Sequence, residues 1–324
     1  MGELIAGKQL GRKAMLYGAL ANNIPDIDVI SSLWADESSA LLIHRGITHS
    51  ILACAILTPL LAFLSKKSHK SSDLSFSRWA LLWGSGLFLH ILLDAFTTYG
   101  TGWFEPFDHS RVSFNAIFIL DPIFMLPVLI ASIVLLVKKR YAAGRIKWAA
   151  IGLSLSALYL LMVIINKTTV NNVVKNNLAS QKINYRDYMS TPTPLNNFLW
   201  YILVRDTGHF LVGYYSVFDR DSNIAFENFQ QNDSLLSYNC NPAHVARLKR
   251  FSQQYYSARL ENDTVIFSDM RFGQVGGWYQ KQSPFVFNFR LAQKCTNKIA
   301  LQKGRLKTFG PDALSQLFKR IKGN

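Results

Sequence analysis

The chain has 324 residues, 49% of them apolar, with 35 Lys and Arg against 20 Asp and Glu, a formal net charge of +15. That length allows two domains of ordinary size, and three cysteines with no CxxC pair exclude a zinc ribbon. The charge is uneven: residues 1–166 are net +4, whereas residues 167–324 hold 21 Lys and Arg against 10 Asp and Glu, net +11, a surface that attracts phosphate in nucleic acid or lipid headgroups.

The opening stretch, "MGELIAGKQLGRKAML", has charges but no apolar core ahead of a cleavage site, so it does not read as a signal peptide. Ala14–Ile24 is apolar and short, a half-span or an interfacial helix. Four longer stretches then approach the roughly 20 apolar residues needed to cross a bilayer: Gly46–Ser65, Trp79–Tyr99, Phe114–Val137 and Trp148–Ile165. All four fall in the first half. The predicted fold class is an α-helical polytopic membrane domain of about four transmembrane helices, residues 1–166, followed by a small α+β domain, residues 167–324.

The linkers orient these spans. "KKSHKSSDLSFSR" after the first and "KKRYAAGRIK" after the third are basic and are expected in the cytoplasm. "GTGWFEPFDHSR", between the second and third, is expected outside, as is everything after Ile165. In a bacterium this describes a multi-pass inner-membrane protein whose C-terminal domain lies outside the cytoplasm.

From Asn166 the texture turns polar and Asn-rich, and "NKTTVNNVVKNNLASQKINYRDYMSTPTPLNN" reads as a linker. Strand-like runs follow in "FLWYILVRD", "FLVGYYSVF", "DTVIFSDMRF" and "SPFVFNFRL". "PAHVARLKRFSQQYYSARL" carries a helical period, and "PDALSQLFKRIK" reads as a closing helix. No internal repeat or low-complexity tract is visible. Cys54 lies in an apolar run and reads as a small buried side chain. Cys240 and Cys295 are able to pair if their domain occupies an oxidising compartment.

The polar residues of the membrane half fall in one leaflet of this topology. Asp26 and Asp28 in "ANNIPDIDVI" precede the first span, and His44, Arg45 and His49 in "HRGITHS" stand at its outer end. His90 and Asp94 in "FLHILLDAFTTYG" are four apart, hence on one helix face, and Asp121 in "FILDPIF" lies in the outer third of the third span. An ionised Asp within a span costs several kcal/mol unless paired. A divalent metal is the partner that also uses neutral imidazoles. Asp26, Asp28, His44, His49, His90, Asp94 and Asp121 supply enough ligands for one ion or two, zinc first and manganese second.

Each piece also has a structural reading. His90 and Asp94 make an i,i+4 hydrogen bond, "PDID" a turn with a helix cap, and "HRGITHS" a capped interfacial loop. Asp121 caps a helix that starts at Pro122. Arg45 and Arg111 either snorkel to headgroups or hold an anionic substrate oxygen. His69 is expected in solvent, His109 in a loop, and His209 and His244 lack ligand spacing. Four such accidents on one face weigh less than one metal site.

"NNIPDIDVI", "HRGITHS", "HILLDAFTTYG" and "FILDPIF" resemble the bacterial family of membrane-bound metal-dependent hydrolases, also described as LexA-regulated inner-membrane hydrolases. The resemblance covers about the first half in four ordered motifs, and "TPTPLNNFLWYILV" with "DMRFG" resembles its longer members. The order of motifs is more distantly similar to zinc-dependent phospholipase C and related single-strand nucleases. The resemblance implies metal ligation by Asp26, His44 or His49, His90 and Asp94, and hydrolase activity. Family members begin with a further short helix ahead of the position of Gly2; a ligand from that helix would be missing here.

The expected chemistry is metal-assisted hydrolysis of a phosphoester or lipid-linked substrate at the outer membrane boundary. Asp28 or Asp94 would orient the water or take its proton, Arg45 and Arg111 would hold the substrate anion, and the basic domain would grip headgroups or cover the site. The expected partners are membrane lipids and a phosphate-bearing substrate. A metal-stabilised non-catalytic membrane protein or sensor is the first alternative and a transporter the second, disfavoured because no candidate reaches the inner half and no inverted repeat is evident. No nucleic-acid partner is expected, since no recognition motif is present.

Overall fold

The computed structural model describes residues 1–69, 73–237, 241–291, 299–301 and 312–324. Cys240 and Cys295, the expected pair, lie outside the described residues. The chain divides into two compact units. The first takes in Met1–Ile30, Ile43–Phe114 and Ile119–Val163, the second Ser31–Leu42, Asn115–Phe118 and Ile164–Asn324.

The first unit is helical. It contains α1 (Gly2–Leu10), α2 (Arg12–Asn23), α4 (Ile51–Ser68), α5 (Phe76–Phe96), α6 (Pro122–Val137) and the first part of α7 (Arg145–Ser180). The helix α3 (Glu37–Ile43) joins its segments. Among the described residues three helices, α4, α5 and α7, are long and apolar enough to cross a membrane. The expected third span is shorter than predicted. Its apolar run begins at Phe114, but the helix starts only at Pro122, because Asp121 caps it there, accepting from the amides of Ile123 and Phe124. Sixteen residues give about 24 Å of helix against a hydrocarbon core of about 30 Å.

The helices α4 and α5 form an antiparallel pair. Trp83 Nε1 donates to Ser65 Oγ at 2.9 Å near one end, and a Cβ on Gly84 would sit 3.1 Å from Thr58. Both start on serine caps: Ser50 Oγ accepts from Ala53 N–H and Ser75 Oγ from Arg78 N–H. Against α5 pack α1 and α2 through small residues. Gly86 lies so close to Ala21 that a Cβ would meet it at 2.4 Å, and Ala6, Ala14 and Ala21 are buried with Trp79 and Leu82. A buried ion pair ties α1 to the start of α7: Arg145 Nε and Nη2 each reach a Glu3 carboxylate oxygen at 2.8 Å. Arg145 Nη1 takes the carbonyls of Leu135 and Lys138. His69, expected in solvent, is instead half-buried, with its Nε2 3.0 Å from Tyr17 Oη and its ring against Trp79.

The Asn-rich stretch read as a linker is the second half of α7, which runs without a break to Ser180. Its signal was a one-sided stripe among polar residues: Val170, Val174 and Leu178, four apart, are fully buried. The stripe packs on an antiparallel sheet of β1 (Asp187–Pro192), β2 (Leu199–Arg205), β3 (His209–Ser216) and β4 (Glu227–Gln230), in that order. Trp200, Ile202 and Val204 of β2 face α7, while Tyr201 and Leu203 face Met270 and Phe285. A strand buried on both faces reads as a continuous apolar run rather than an alternation.

Met270 and Phe285 belong to a second antiparallel sheet of β5 (Tyr256–Glu261), β6 (Thr264–Gln274), β7 (Phe285–Leu291) and β8 (Ile299–Leu301). The expected long helix over residues 242–260 divides. Helix α8 (Pro242–Phe251) ends at Ser252, Gln253 and Gln254 turn the chain with φ of 50° and 67°, and β5 follows. The closing helix α9 (Ala313–Ile321) forms where expected. The short β1, β4 and β8 were not legible as strands. His244, without ligand spacing in sequence, lies at 2.7 Å from Ser38 Oγ and 3.4 Å from Asp36, which thereby hold the start of α3 to α8 within this unit.

Candidate metal centre

Three segments of the first unit supply the polar cluster. The 3-10 run Pro25–Leu33 follows α2 directly and carries Asp26 and Asp28. The chain returns through His44, Arg45 and Gly46 into a 3-10 turn, Ile47–His49, ahead of α4. The last part of α5 brings His90 and Asp94, one turn apart.

Four ligand atoms converge: His49 Nε2, His90 Nε2, Asp26 Oδ1 and Asp94 Oδ2. His49 Nε2 lies 3.1 Å from His90 Nε2, 3.3 Å from Asp26 Oδ1 and 3.5 Å from Asp94 Oδ2. His90 Nε2 lies 3.5 Å from Asp26 Oδ1 and 3.6 Å from Asp94 Oδ2. Nitrogen and oxygen ligands about 2.0–2.1 Å from a tetrahedral zinc stand about 3.3 Å from one another. The spacing therefore fits a single small cation. The chemistry of the set fits as well. Four acceptors pointed at one locus repel one another unless a proton or a cation stands between them. Asp94 Oδ2 is buried and meets hydrogen-bond geometry with no group, its nearest cation being Arg45 Nε at 3.0 Å.

Asp28 lies behind His49. Its side chain is 2% exposed, against 40% for Asp26. Asp28 Oδ1 faces His44 Nδ1 at 2.8 Å. Its Oδ2 accepts from the Arg45 amide at 3.0 Å and from the Thr48 hydroxyl, and lies 3.3 Å from His49 Nδ1. Burial opposes ionisation of this carboxyl, but the hydrogen bonds from His44, His49 and Thr48 outweigh it and hold the group well below the usual carboxylate range. Asp28 and the Thr48 oxygen offer acceptors to a proton on His49 Nδ1, the tautomer that would turn the Nε2 lone pair to the cluster. This is the outer-shell arrangement that orients metal-ligating histidines.

A second grouping shares a member with the first: Asp26, Asp28 and His44 also offer ligand atoms within 4.8 Å of one another. Of the two histidines that the motif left open, His49 stands with His90 in the first grouping and His44 in the second.

The two arginines expected to hold substrate are committed elsewhere. Arg45, 5% exposed, has Nε 3.0 Å from Asp94 Oδ2, at ion-pair distance but outside hydrogen-bond geometry. Its Nη1 donates to Thr97 Oγ1 at 2.8 Å. Arg45 has φ of 61°, a left-handed conformation that costs a non-glycine residue of order 1 kcal/mol; the bond from its amide to Asp28 holds it there. Arg111 Nη2 donates to the His44 carbonyl at 2.8 Å. The Tyr99 ring lies against both guanidinium groups, 4.9 Å from Arg45 and 5.6 Å from Arg111. Thr48 and Thr97 sit inside the quoted motifs, yet their support of the cluster depends on contacts 20 and 52 residues away.

Asp121 stands apart from both groupings. One oxygen caps α6, and the other accepts from Tyr159 Oη at 2.7 Å, so its expected role as a ligand gives way to the helix-capping alternative. His109 pairs with Glu105 in an exposed loop, as its sequence context suggested.

A family model described as YdjM inner membrane protein matches residues 1–170. That span carries both groupings and ends ahead of the two sheets. The chain is similar to the uncharacterized protein YfhP of Bacillus subtilis strain 168, 29% identical over 154 residues, or 46% of this chain and 42% of the relative. It is also similar to the inner membrane protein YbcI of Escherichia coli K12, 28% identical over 109 residues, or 33% of this chain and 61% of the relative. The chain thus spans 42% and 61% of these curated relatives. No solved structure matches it.

Proposed function

The chain belongs to the YdjM inner membrane protein family, and from that premise we propose that it is a membrane-bound metal-dependent hydrolase acting on a phosphoester or lipid-linked substrate at the outer face of the bacterial inner membrane. The observation that carries the reading is the convergence of His49, His90, Asp26 and Asp94 at the spacing of a tetrahedral ion.

In this reading Asp26, His49, His90 and Asp94 hold a divalent ion of zinc type, with manganese the second choice. Such an ion supplies Lewis acidity and a water activated near neutral pH. The protein's own groups divide the remaining work. Asp28 keeps the proton of His49 on Nδ1. Arg45 balances the charge of Asp94. Asp26, the most exposed of the four, stands on the side open to solvent, where a substrate would enter. Arg45 and Arg111, both against the Tyr99 ring, give that approach a positive field suited to a phosphate.

The full chain, purified with its bound metal, should release phosphate or alcohol from a phosphodiester lipid analogue. His90→Ala and Asp94→Asn should abolish that release, and chelation followed by zinc should restore it only in the wild type. A wild type that binds one ion per chain and hydrolyses no phosphoester favours the alternative, a metal-stabilised membrane protein or sensor. One observation supports that alternative: Arg45 already lies against Asp94, as in a closed site. Spectroscopy of a cobalt-substituted site separates the two readings, since a catalytic site keeps a position for water and a structural one does not.

A further inference from the structure

The closing helix α9 has more apolar surface than its own unit covers. At about 100° per residue, Ala313, Leu317, Ile321, Leu314 and Phe318 form one unbroken arc, and only part of it is used. Ala313 and Leu317 are buried, Leu317 and Ile321 packing with Leu199 and Trp278. Leu314 is 59% exposed and Phe318 62%. Lys322 follows the arc at its border and Lys319 lies beyond it; both are exposed.

The helix is also pinned. Arg320 makes a two-pronged ion pair with Asp219 at 2.6 and 2.8 Å, and Ser216 donates to the Ile321 carbonyl. Gly323 lies so close to the Phe218 carbonyl that a Cβ would approach to 2.2 Å. Phe218, itself 53% exposed, is therefore held beside the end of α9. Leu314, Phe318 and Phe218 are thus exposed apolar side chains on and next to the pinned helix, a platform with Lys319, Lys322 and Arg220 exposed beside them in the chain.

We propose that this platform rests on a bilayer surface rich in anionic headgroups, with the three apolar side chains in the headgroup boundary and the lysines against lipid phosphates. Apolar residues flanked by Lys and Arg on one amphipathic helix are the composition of an interfacial helix. Two features of the chain single out lipid as the occupant. This half of the sequence is net +11, complementary to anionic lipid. Its unit also takes in α7 from Ile164 onward, and α7 is a helix long and apolar enough to cross a membrane.

The test uses the full chain, its native cysteines replaced by serine, in nanodiscs. An environment-sensitive fluorophore is attached at Phe318→Cys or, as a control, at Asn262→Cys in the exposed turn between β5 and β6. In discs containing phosphatidylglycerol and a lipid-borne quencher, emission at position 318 should shift to the blue and be quenched, and emission at 262 should do neither. Lys319→Gln with Lys322→Gln should lower the docked-to-free ratio by roughly 30-fold, about fivefold for each lysine. Discs of phosphatidylcholine alone should weaken docking in the same way. A blue shift without quenching by lipid, persisting in detergent, would mean that protein covers the platform; mixing labelled with unlabelled chains would then tell a second copy from the same chain, and either overturns the proposal. Water-like emission in every disc overturns it as well. Leu314→Glu, at an exposed position, should abolish docking while leaving the protease resistance of the second unit unchanged.

Discussion

His49 Nε2 and His90 Nε2 face each other at 3.1 Å although 41 residues separate them. Two imidazole nitrogens in that position share either a proton or a metal ion. The two aspartate oxygens set around them make the cation the stronger choice, because a single proton neutralises less of the converging charge. His49→Ala and His90→Ala should each weaken metal binding by more than about 100-fold, above the 10–100-fold range typical of an outer-shell partner. Metal content of the purified variants measures this directly, and three preparations with equal metal would dispose of the site.

Asp28 is expected to act through His49 rather than on the ion. Asp28→Asn leaves a side chain of similar shape but puts an uncharged amide at His49 Nδ1. Metal affinity should fall by about 10–100-fold, with the coordination spectrum of a cobalt-loaded site retained. Asp121→Asn should leave metal content unchanged and lower stability by about 1 kcal/mol or less, as an altered helix cap does. Loss of metal on changing Asp121 would restore it to the ligand set.

The Glu3–Arg145 pair is buried at both ends, with side chains 4% and 3% exposed. Removing one partner leaves a charge stranded beside the carbonyls of Leu135 and Lys138. Glu3→Ala should cost about 3–5 kcal/mol, seen as a lowered unfolding midpoint in detergent. Glu3→Met combined with Arg145→Met should recover much of that loss, since a matched apolar pair carries no desolvation penalty.

The contact of Asp36 with α8 should depend on pH in a defined direction. Burial opposes its charge, but the Ser39 and Ser38 hydroxyls, the Ser39 amide and the nearby Arg247 prevail and depress the carboxyl below its usual value. A depressed carboxylate contributes stability that is complete above the unfolded value near 4 and is lost as the pH falls through the folded one. Asp36→Asn should therefore speed hydrogen exchange across Glu37–Ile43 at neutral pH. The difference from wild type should persist at pH 5 and vanish only in stronger acid. A difference already gone at pH 5 would contradict the arrangement.

The basic segment "KKSHKSSDLSFSR" is proposed to lie in the cytoplasm, on the ground of its basic residues alone. A cysteine at Ser68, with native cysteines removed, should react with a membrane-impermeant maleimide in inverted vesicles and not in intact spheroplasts. A cysteine at Ser110 should show the opposite pattern. The reverse result would turn the topology over and place the metal centre at the inner face.

Much of the architecture was legible because it rests on patterns local in the chain. Apolar runs of about 20 residues marked α4, α5 and the first part of α7, and doubly buried strands such as β2 announced themselves as uninterrupted apolar segments. The misreadings share a cause. The Asn-rich half of α7 has a stripe of three residues, Val170, Val174 and Leu178, which average hydropathy hides. Strand β5 was read as helix because the break depends on Gln253 and Gln254 entering the left-handed region, for which neither residue type gives a cue.

By itself the sequence determined that this protein has membrane-spanning helices, that its acidic and imidazole side chains gather in four short motifs, and that its second half is basic and sheet-forming. These follow from composition and periodicity, which act over a few residues. Only the tertiary structure decided that His49 joins His90 while His44 turns to Asp28, that Arg45 goes to Asp94 instead of solvent, and that Asp121 caps a helix. Those outcomes depend on how α4 pairs with α5 and on one left-handed residue between the two histidines, and no local pattern encodes where separated segments will meet.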